Sequence, residues 1–204
     1  MVAGYLLENI RQGQPLQLAG FLDDNPSLMG RHFLGTPVLG TISDWRAVEH
    51  DAAIVAIGEN RVRARIFDDL ARRGERFVNA VHPAAVLGPE VTLGCGVAVG
   101  AGVVVSLGAV VGDNVILSTN CTVGHHVQVG SHAHIGPGAV LAGRAAVGEG
   151  TLVGAGAAVN PGCHVGRWCV IGAGAVVTES IPDGVLAVGV PAQVVRQVEL
   201  KAEV

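Results

Sequence analysis

From residue 87 onward an aliphatic residue recurs every six positions, and no other feature constrains the fold of this chain as tightly. The row runs Leu87, Leu93, Val99, Val105, Val111, Leu117, Val123, Val129, Ile135, Leu141, Val147, Val153, Val159, Val165, Ile171, Val177. The next residue is nearly always glycine, with Ser106, Ser118, Ala142, Asn160 and Thr178 as the exceptions. Four positions after each aliphatic stands a second small or β-branched residue, as at Val97, Ala109, Cys121, Ala139, Ala157, Cys163 and Ala175.

A period of six matches neither the 3.6 of a helix nor the alternation of a half-buried strand. It matches a parallel β-helix, in which each hexapeptide is one short strand plus one turn and three of them close a triangular coil. The aliphatic side chain points inward, the small residue fills the corner, and the glycine after the aliphatic is expected to take the bend. Coils stacked at the strand spacing of about 4.8 Å predict a prism about five coils tall. Composition agrees, because 30 glycines and only 3% aromatic residues leave a core of Val, Ala, Leu and Ile. Since a coil is three hexads, residue 143 should stack beside residue 125.

Residues 1–80 follow other rules. VAGYLLENIRQ has helical spacing, LQLAGFLDD and AAIVAIGEN suggest buried strands, RVRARIFDDLARRG is an amphipathic helix, and RFVNAVHP leads as a strand into the repeat. Strands alternating with helices imply βαβ units and a parallel sheet. The organisation expected is therefore an α/β domain over 1–80, a β-helix over 81–185 and a tail over 186–204, with a covering segment at the prism end and a final helix from Gln193.

The formal net charge of −4 gives no basic footprint for nucleic acid. The cysteines, Cys95, Cys121, Cys163 and Cys169, form no CxxC pair, and three of them fall in small-residue core slots. Glycines break every apolar run before it could span a bilayer. No signal peptide is evident, so a cytoplasmic, reduced protein is expected, without membrane or nucleic-acid partners.

Chemistry concentrates in CTVGHHVQVGSHAHIG, residues 121–136, which holds His125, His126, His132 and His134. The imidazole is the side chain that ionises near neutral pH, which suits a general base. Asp23 and Asp24 end one expected strand and Gly58 ends another, at the carboxyl edge where ligands bind in parallel sheets. The bland alternatives are a helix cap for the acids, a turn for the glycine and solvated surface for the histidines. His132 and His164 are expected on that surface, and His82 in the junction turn.

The hexad and the tail AVGVPAQVV resemble the left-handed parallel β-helix acyltransferases, the hexapeptide-repeat family. The order of a small Rossmann-like α/β domain, FLDD, AIGEN and then hexads is similar to the nucleotide-sugar acyltransferases of the PglD and NeuD type. The resemblance implies a left-handed coil, a homotrimer, acetyl-CoA as co-substrate and a nucleotide-sugar acceptor held by the α/β domain. It implies His125 as the base, and His134, Ala155 and Ala173 as acetyl-CoA contacts, to which the stacking of coils adds Gly143. Gly143 beside His125 leaves room for the thioester and offers an amide to the oxyanion.

Two departures stand out. Relatives begin with a strand and a glycine-rich loop, whereas this sequence starts at Met1 within the helix that should follow, so the domain is expected to lack both. Relatives also carry Asp or Glu after the catalytic histidine, where this chain has His126. The rival expectations are O-acetylation of sialic acid or another small acceptor, and an inactive β-helix scaffold. A zinc anhydrase of the same fold uses two histidines five apart, a spacing missing among these four, so no metal is expected.

Overall fold

A computed structural model describes residues 1–198. Helix α1, Val2–Arg11, opens the chain. Val2, Tyr5 and Leu6 form its apolar stripe and pack on Ala80, Ala98 and Ile116 of the prism. Helix α2, Asn60–Arg72, is capped by Glu59, whose carboxylate accepts from the amides of Arg61 and Val62. Its buried stripe is Arg63, Ala64, Phe67 and Leu70. Phe67 stacks on Phe77 with centroids 4.0 Å apart.

The sheet between the helices differs from the βαβ expectation. Phe21–Leu22 pairs in parallel with Thr36–Gly40, but His32–Phe33 pairs with that strand antiparallel. AAIVAIGEN makes only one isolated bridge, Ala53 to Phe77. Its apolar run reflects burial rather than pairing: Val55 and Ile57 pack with Trp45, Phe67, Leu70 and Phe77.

The prism follows the six-residue rule through its length. Each hexad contributes a two-residue strand, and the three sets of strands form three parallel faces. Face one includes Ala98–Val99, Ile116–Leu117, His134–Ile135, Leu152–Val153 and Val170–Ile171. Face two includes Val104–Val105, Thr122–Val123, Val140–Leu141 and Ala158–Val159, and face three includes Val110–Val111, Gln128–Val129 and Ala146–Val147. Register advances by one coil, as in Thr122 opposite Val140 and His134 opposite Leu152. From Val99 to Val177 the inward row is shielded, with Leu117, Val123, Ile135 and Leu141 each at 0% exposure, whereas Leu87 in the first hexad is 40% exposed. Burying such side chains stabilises the fold by roughly 1.5–3 kcal/mol each.

Glycine works differently here from what its position in the hexad suggests. The left-handed residue is the third after the aliphatic, as at Gly102, Gly108, Gly138 and Gly156, not the first. Where glycine follows the aliphatic, as at Gly112, Gly124, Gly136 and Gly154, the next coil's backbone comes too close for a side chain. A Cβ on Gly124 would stand 2.8 Å from both the Gly143 nitrogen and the Leu141 oxygen. Five hexads place a residue other than glycine or asparagine at the left-handed position: Glu90, His126, His132, Arg144 and Trp168.

The chain end is also corrected. Gln193–Gln197 is a strand antiparallel to Val185–Val188, not the start of a helix; the rest of that expected helix lies outside the described residues. The β-branched Val194 and Val195 favour extended backbone, and the partner strand was available. Ile181, Val185–Val188 and Ala192 bond to the last strand of each face, covering the open edge. Among the described residues no helix is long and apolar enough to cross a membrane.

Candidate active site

His125 sits in the turn from face two to face three, exposed, with its ring over the next coil. A Cβ on Gly143 would overlap the imidazole at Nε2, so the stacking of 143 on 125 is direct and glycine there seats the ring. The Arg144 amide donates to the His125 carbonyl at 2.9 Å, fixing the turn. The Nδ1 atoms of His125 and His126 lie 3.2 Å apart.

His134 occupies face one of the same coil and points toward the N-terminal elements. Its Nε2 is 2.9 Å from Ser118 Oγ. Burial and the Arg63 charge push its pKa down, partly offset by a hydrogen bond with the Gly58 backbone. Gly58 and His134 are thus brought together, and a Cβ on Gly58 would meet open space. Ala155 and Ala173 lie in the turns that follow Leu152–Val153 and Val170–Ile171, one coil apart, where the Gly174 amide donates to the Ala155 carbonyl at 2.9 Å.

The acids are partly committed within the fold. Asp23 accepts from the Asn25 amide at 2.9 Å, and Asp24 from the Ile42 amide at 2.9 Å. Each carboxylate keeps one oxygen outside these bonds. Asp113 accepts from the Cys95 amide, so its bond serves another corner of the prism.

His132 corrects the surface expectation, being only 7% exposed. Its Nδ1 takes a hydrogen bond from the Asn114 amide nitrogen at 2.9 Å, its Nε2 is 3.5 Å from Asp68, and Phe67 packs edge-on against its ring. Arg63 escaped the sequence reasoning altogether. It is 0% exposed, and its guanidinium donates to the carbonyls of Asn114 (3.1 Å), Ile57 (3.0 Å), His132 (2.6 Å) and Ala133 (3.3 Å). The available signal was its place on the buried stripe of α2. Burial lowers its pKa to about 10, which leaves it charged at neutral pH.

Burial also pushes the His132 pKa down against the pull of Asp68 and Glu149. Unfolded, His132 and His134 take up protons near pH 6.5; folded, only at lower pH. Their contribution to stability is therefore complete above about 6.5 and lost as the pH falls through the folded values. Melting temperature should drop between about pH 7 and 5. The slope should flatten in His132→Asn, a residue that tolerates the left-handed backbone but does not titrate. An unchanged slope would remove His132 from the account.

Gly143 yields a second check. Gly143→Ala puts a methyl where the His125 ring lies, and displacing a base by about 1 Å costs on the order of 10²-fold in rate. Turnover should fall while the thermal midpoint moves little. Wild-type turnover in the variant would mean that the ring position does not matter.

An exposed histidine in a β-helix turn, with a glycine cleared beside it, is the arrangement expected from the resemblance to the hexapeptide-repeat acyltransferases. The bacterial transferase hexapeptide family (six repeats) matches residues 108–143 and 144–179, and the PglD N-terminal domain matches residues 4–70. PerB from Caulobacter crescentus, solved with CoA and GDP-perosamine, is 38% identical, with 96% of this chain and 93% of that one covered and a TM-score of 0.86. The acetyltransferase domain of PglB from Neisseria gonorrhoeae, solved with acetyl coenzyme A, is 34% identical over 95% and 92%, TM-score 0.87. WeeI from Acinetobacter baumannii is 25% identical over 96% and 95%, TM-score 0.84. No curated protein is matched. The chain belongs to the nucleotide-sugar acetyltransferases of the hexapeptide-repeat, left-handed β-helix family.

Proposed function

We propose that this chain transfers the acetyl group of acetyl-CoA to the amine of a nucleotide-linked amino sugar, in a site completed by a second copy of itself. The observation that carries the reading is the His125 imidazole seated over Gly143 beside an open turn. A sugar ammonium must lose its proton before its lone pair can attack a thioester, and Nε2 of His125 is the acceptor at hand. Attack forms the new C–N bond and an oxyanion, whose collapse breaks the C–S bond; the thiolate leaves with the proton held on Nε2, and the amide nitrogen sheds its second proton to solvent. The Gly143 amide is assigned to the oxyanion.

The expected contacts divide between two corners of the prism. His125 and Gly143 lie at the corner from face two to face three. Ala155 and Ala173 lie at the corner from face one to face two, beside the strand that carries His134. Face two separates them and exposes Val86, Val104 and Val140, each 39–59% accessible. An apolar face of this kind favours association, and packing corners against each other across copies joins the halves. PerB holds CoA and GDP-perosamine together, which supports a nucleotide-linked amine as acceptor. Asp23, Asp24 and Gly58 are assigned to it, a trimer is the assembly assigned, and the cytoplasm the compartment.

The acceptor class is tested by incubating the chain and acetyl-CoA with UDP-, GDP- and dTDP-linked 4-amino sugars and analysing the products by mass. An alkali-stable acetyl on one sugar is expected; an alkali-labile one would mean an ester, and so a hydroxyl acceptor.

A further inference from the structure

The partner of the base in this chain is itself an imidazole, and the two rings are arranged in opposite senses. His125 leans over Gly143 of the following coil, whereas His126 leans over Gly108 of the preceding one. A Cβ on Gly108 would stand 3.1 Å from His126 Cδ2, so a second glycine seats the second ring. The rings are nearly perpendicular, at 82°, with centroids 5.4 Å apart, and they meet through their Nδ1 atoms at 3.2 Å. Two Nδ1 atoms at that separation can share one proton only if one ring donates and the other accepts.

We infer that His126 is a positioning residue that accepts a hydrogen bond from His125 Nδ1–H and so fixes His125 in the tautomer with an unprotonated Nε2. The inference rests on the reading of His125 as the base. With the proton on Nδ1, the Nε2 lone pair faces the Gly143 side. The opposite tautomer would place the proton on the atom that has to accept one. When Nε2 takes the amine proton, His125 becomes an imidazolium whose Nδ1–H still donates to neutral His126, and no proton moves between the rings.

Stacked on these two residues are Leu107 and Gly108 on one side and Gly143 and Arg144 on the other. Arg144 is the charged residue among the four, and it is a cation. No carboxylate at these positions takes the accepting role. His126 also holds a left-handed backbone (φ 56°), which β-carbon sterics disfavour by roughly 1–2 kcal/mol per residue. That conformation supplies discriminating variants, because glycine and asparagine both tolerate it. Asparagine keeps a side-chain acceptor; glycine removes it.

The experiment combines tautomer and kinetics. In the intact chain labelled with ¹⁵N-histidine, His125 is assigned by its disappearance in His125→Asn, and its protonated nitrogen is read from the two ring shifts. Nδ1–H is expected in the wild type and in His126→Asn, and Nε2–H, the form free imidazole side chains prefer, in His126→Gly. With acetyl-CoA and the amino-sugar nucleotide that turns over, His126→Gly should lose about tenfold in kcat at unchanged KM for acetyl-CoA. His126→Asn should restore most of it.

An Nε2–H wild type, or a His126→Gly chain with wild-type tautomer and kcat, overturns the inference. Activity lost in His125→Asn but intact in His126→Gly would discard the pair and leave the base. Activity intact in His125→Asn would discard the base itself.

Discussion

His125→Ala is expected to lower kcat for acetyl transfer by about 10²–10⁴-fold, while acetyl-CoA continues to raise the melting temperature of the variant. The rate falls because an alkyl ammonium stays protonated at neutral pH and nothing else at that corner offers a lone pair in the right place. His126 leans the other way, over Gly108. Binding survives because the substitution removes an exposed ring and leaves the coil intact, with Val123 and Val127 still fully shielded. The separation of the two readouts matters, since loss of both would point to damage of the prism rather than to loss of a base.

Replacing Arg63 by methionine is expected to destabilise the chain by on the order of 3–5 kcal/mol, a large part of the 5–15 kcal/mol that holds a typical domain together. The guanidinium donates to four carbonyls on three separate segments, two of them at prism turns; that of Ala133 also accepts from the Ile116 amide, so three depend on Arg63. Methionine fills much of the volume and none of the hydrogen bonds, leaving buried acceptors at roughly 1–3 kcal/mol each. Arg63→Lys should rescue little, because one ammonium cannot reproduce a planar fork that reaches Ile57, Asn114 and His132 together. Urea unfolding followed by the two tryptophans is the measurement, as Trp45 reports the N-terminal part and Trp168 the prism. Those transitions should separate in the variant. A wild-type midpoint would mean that packing of Phe67 and Leu70 alone fastens α2 to the prism.

Arg63 lies where the sequence is least legible, and the prism where it is most. The prism could be read because its constraint is periodic: each inward slot sits in nearly the same environment, so sixteen repeats state one rule sixteen times. Stacking of Gly143 beside His125 followed from arithmetic on the same period. Long-range satisfaction of single polar groups follows no period. Asn114 and His132 are one coil apart, yet their tie to Arg63 depends on how α2 docks, which pattern alone does not encode. His132 was misjudged for the same reason, since its turn would be exposed in an isolated prism and is covered here by Phe67 and Asp68. Burial likewise imitated pairing in AAIVAIGEN, where an apolar run that suggested a sheet strand packs on α2 instead.

The site was legible in parts. His125, Gly143 and His134 occupy positions fixed by the hexad, so their columns could be assigned before the structure was known. What the columns do not reveal is that Ser118, sixteen residues away, meets the His134 ring, or that Gly58 of the N-terminal part comes against it. The role of glycine was also misplaced by two residues within the hexad. Sequence shows where glycine recurs, but only geometry tells close approach from backbone twist.

The most direct test of the account is the initial rate of free-thiol release from acetyl-CoA by the wild-type chain, with and without a GDP-linked 4-amino sugar and its UDP and dTDP counterparts. Thiol release that depends on one of these acceptors is the predicted result. Release at the same background rate with every acceptor and with none, in a chain that still binds acetyl-CoA, would contradict it.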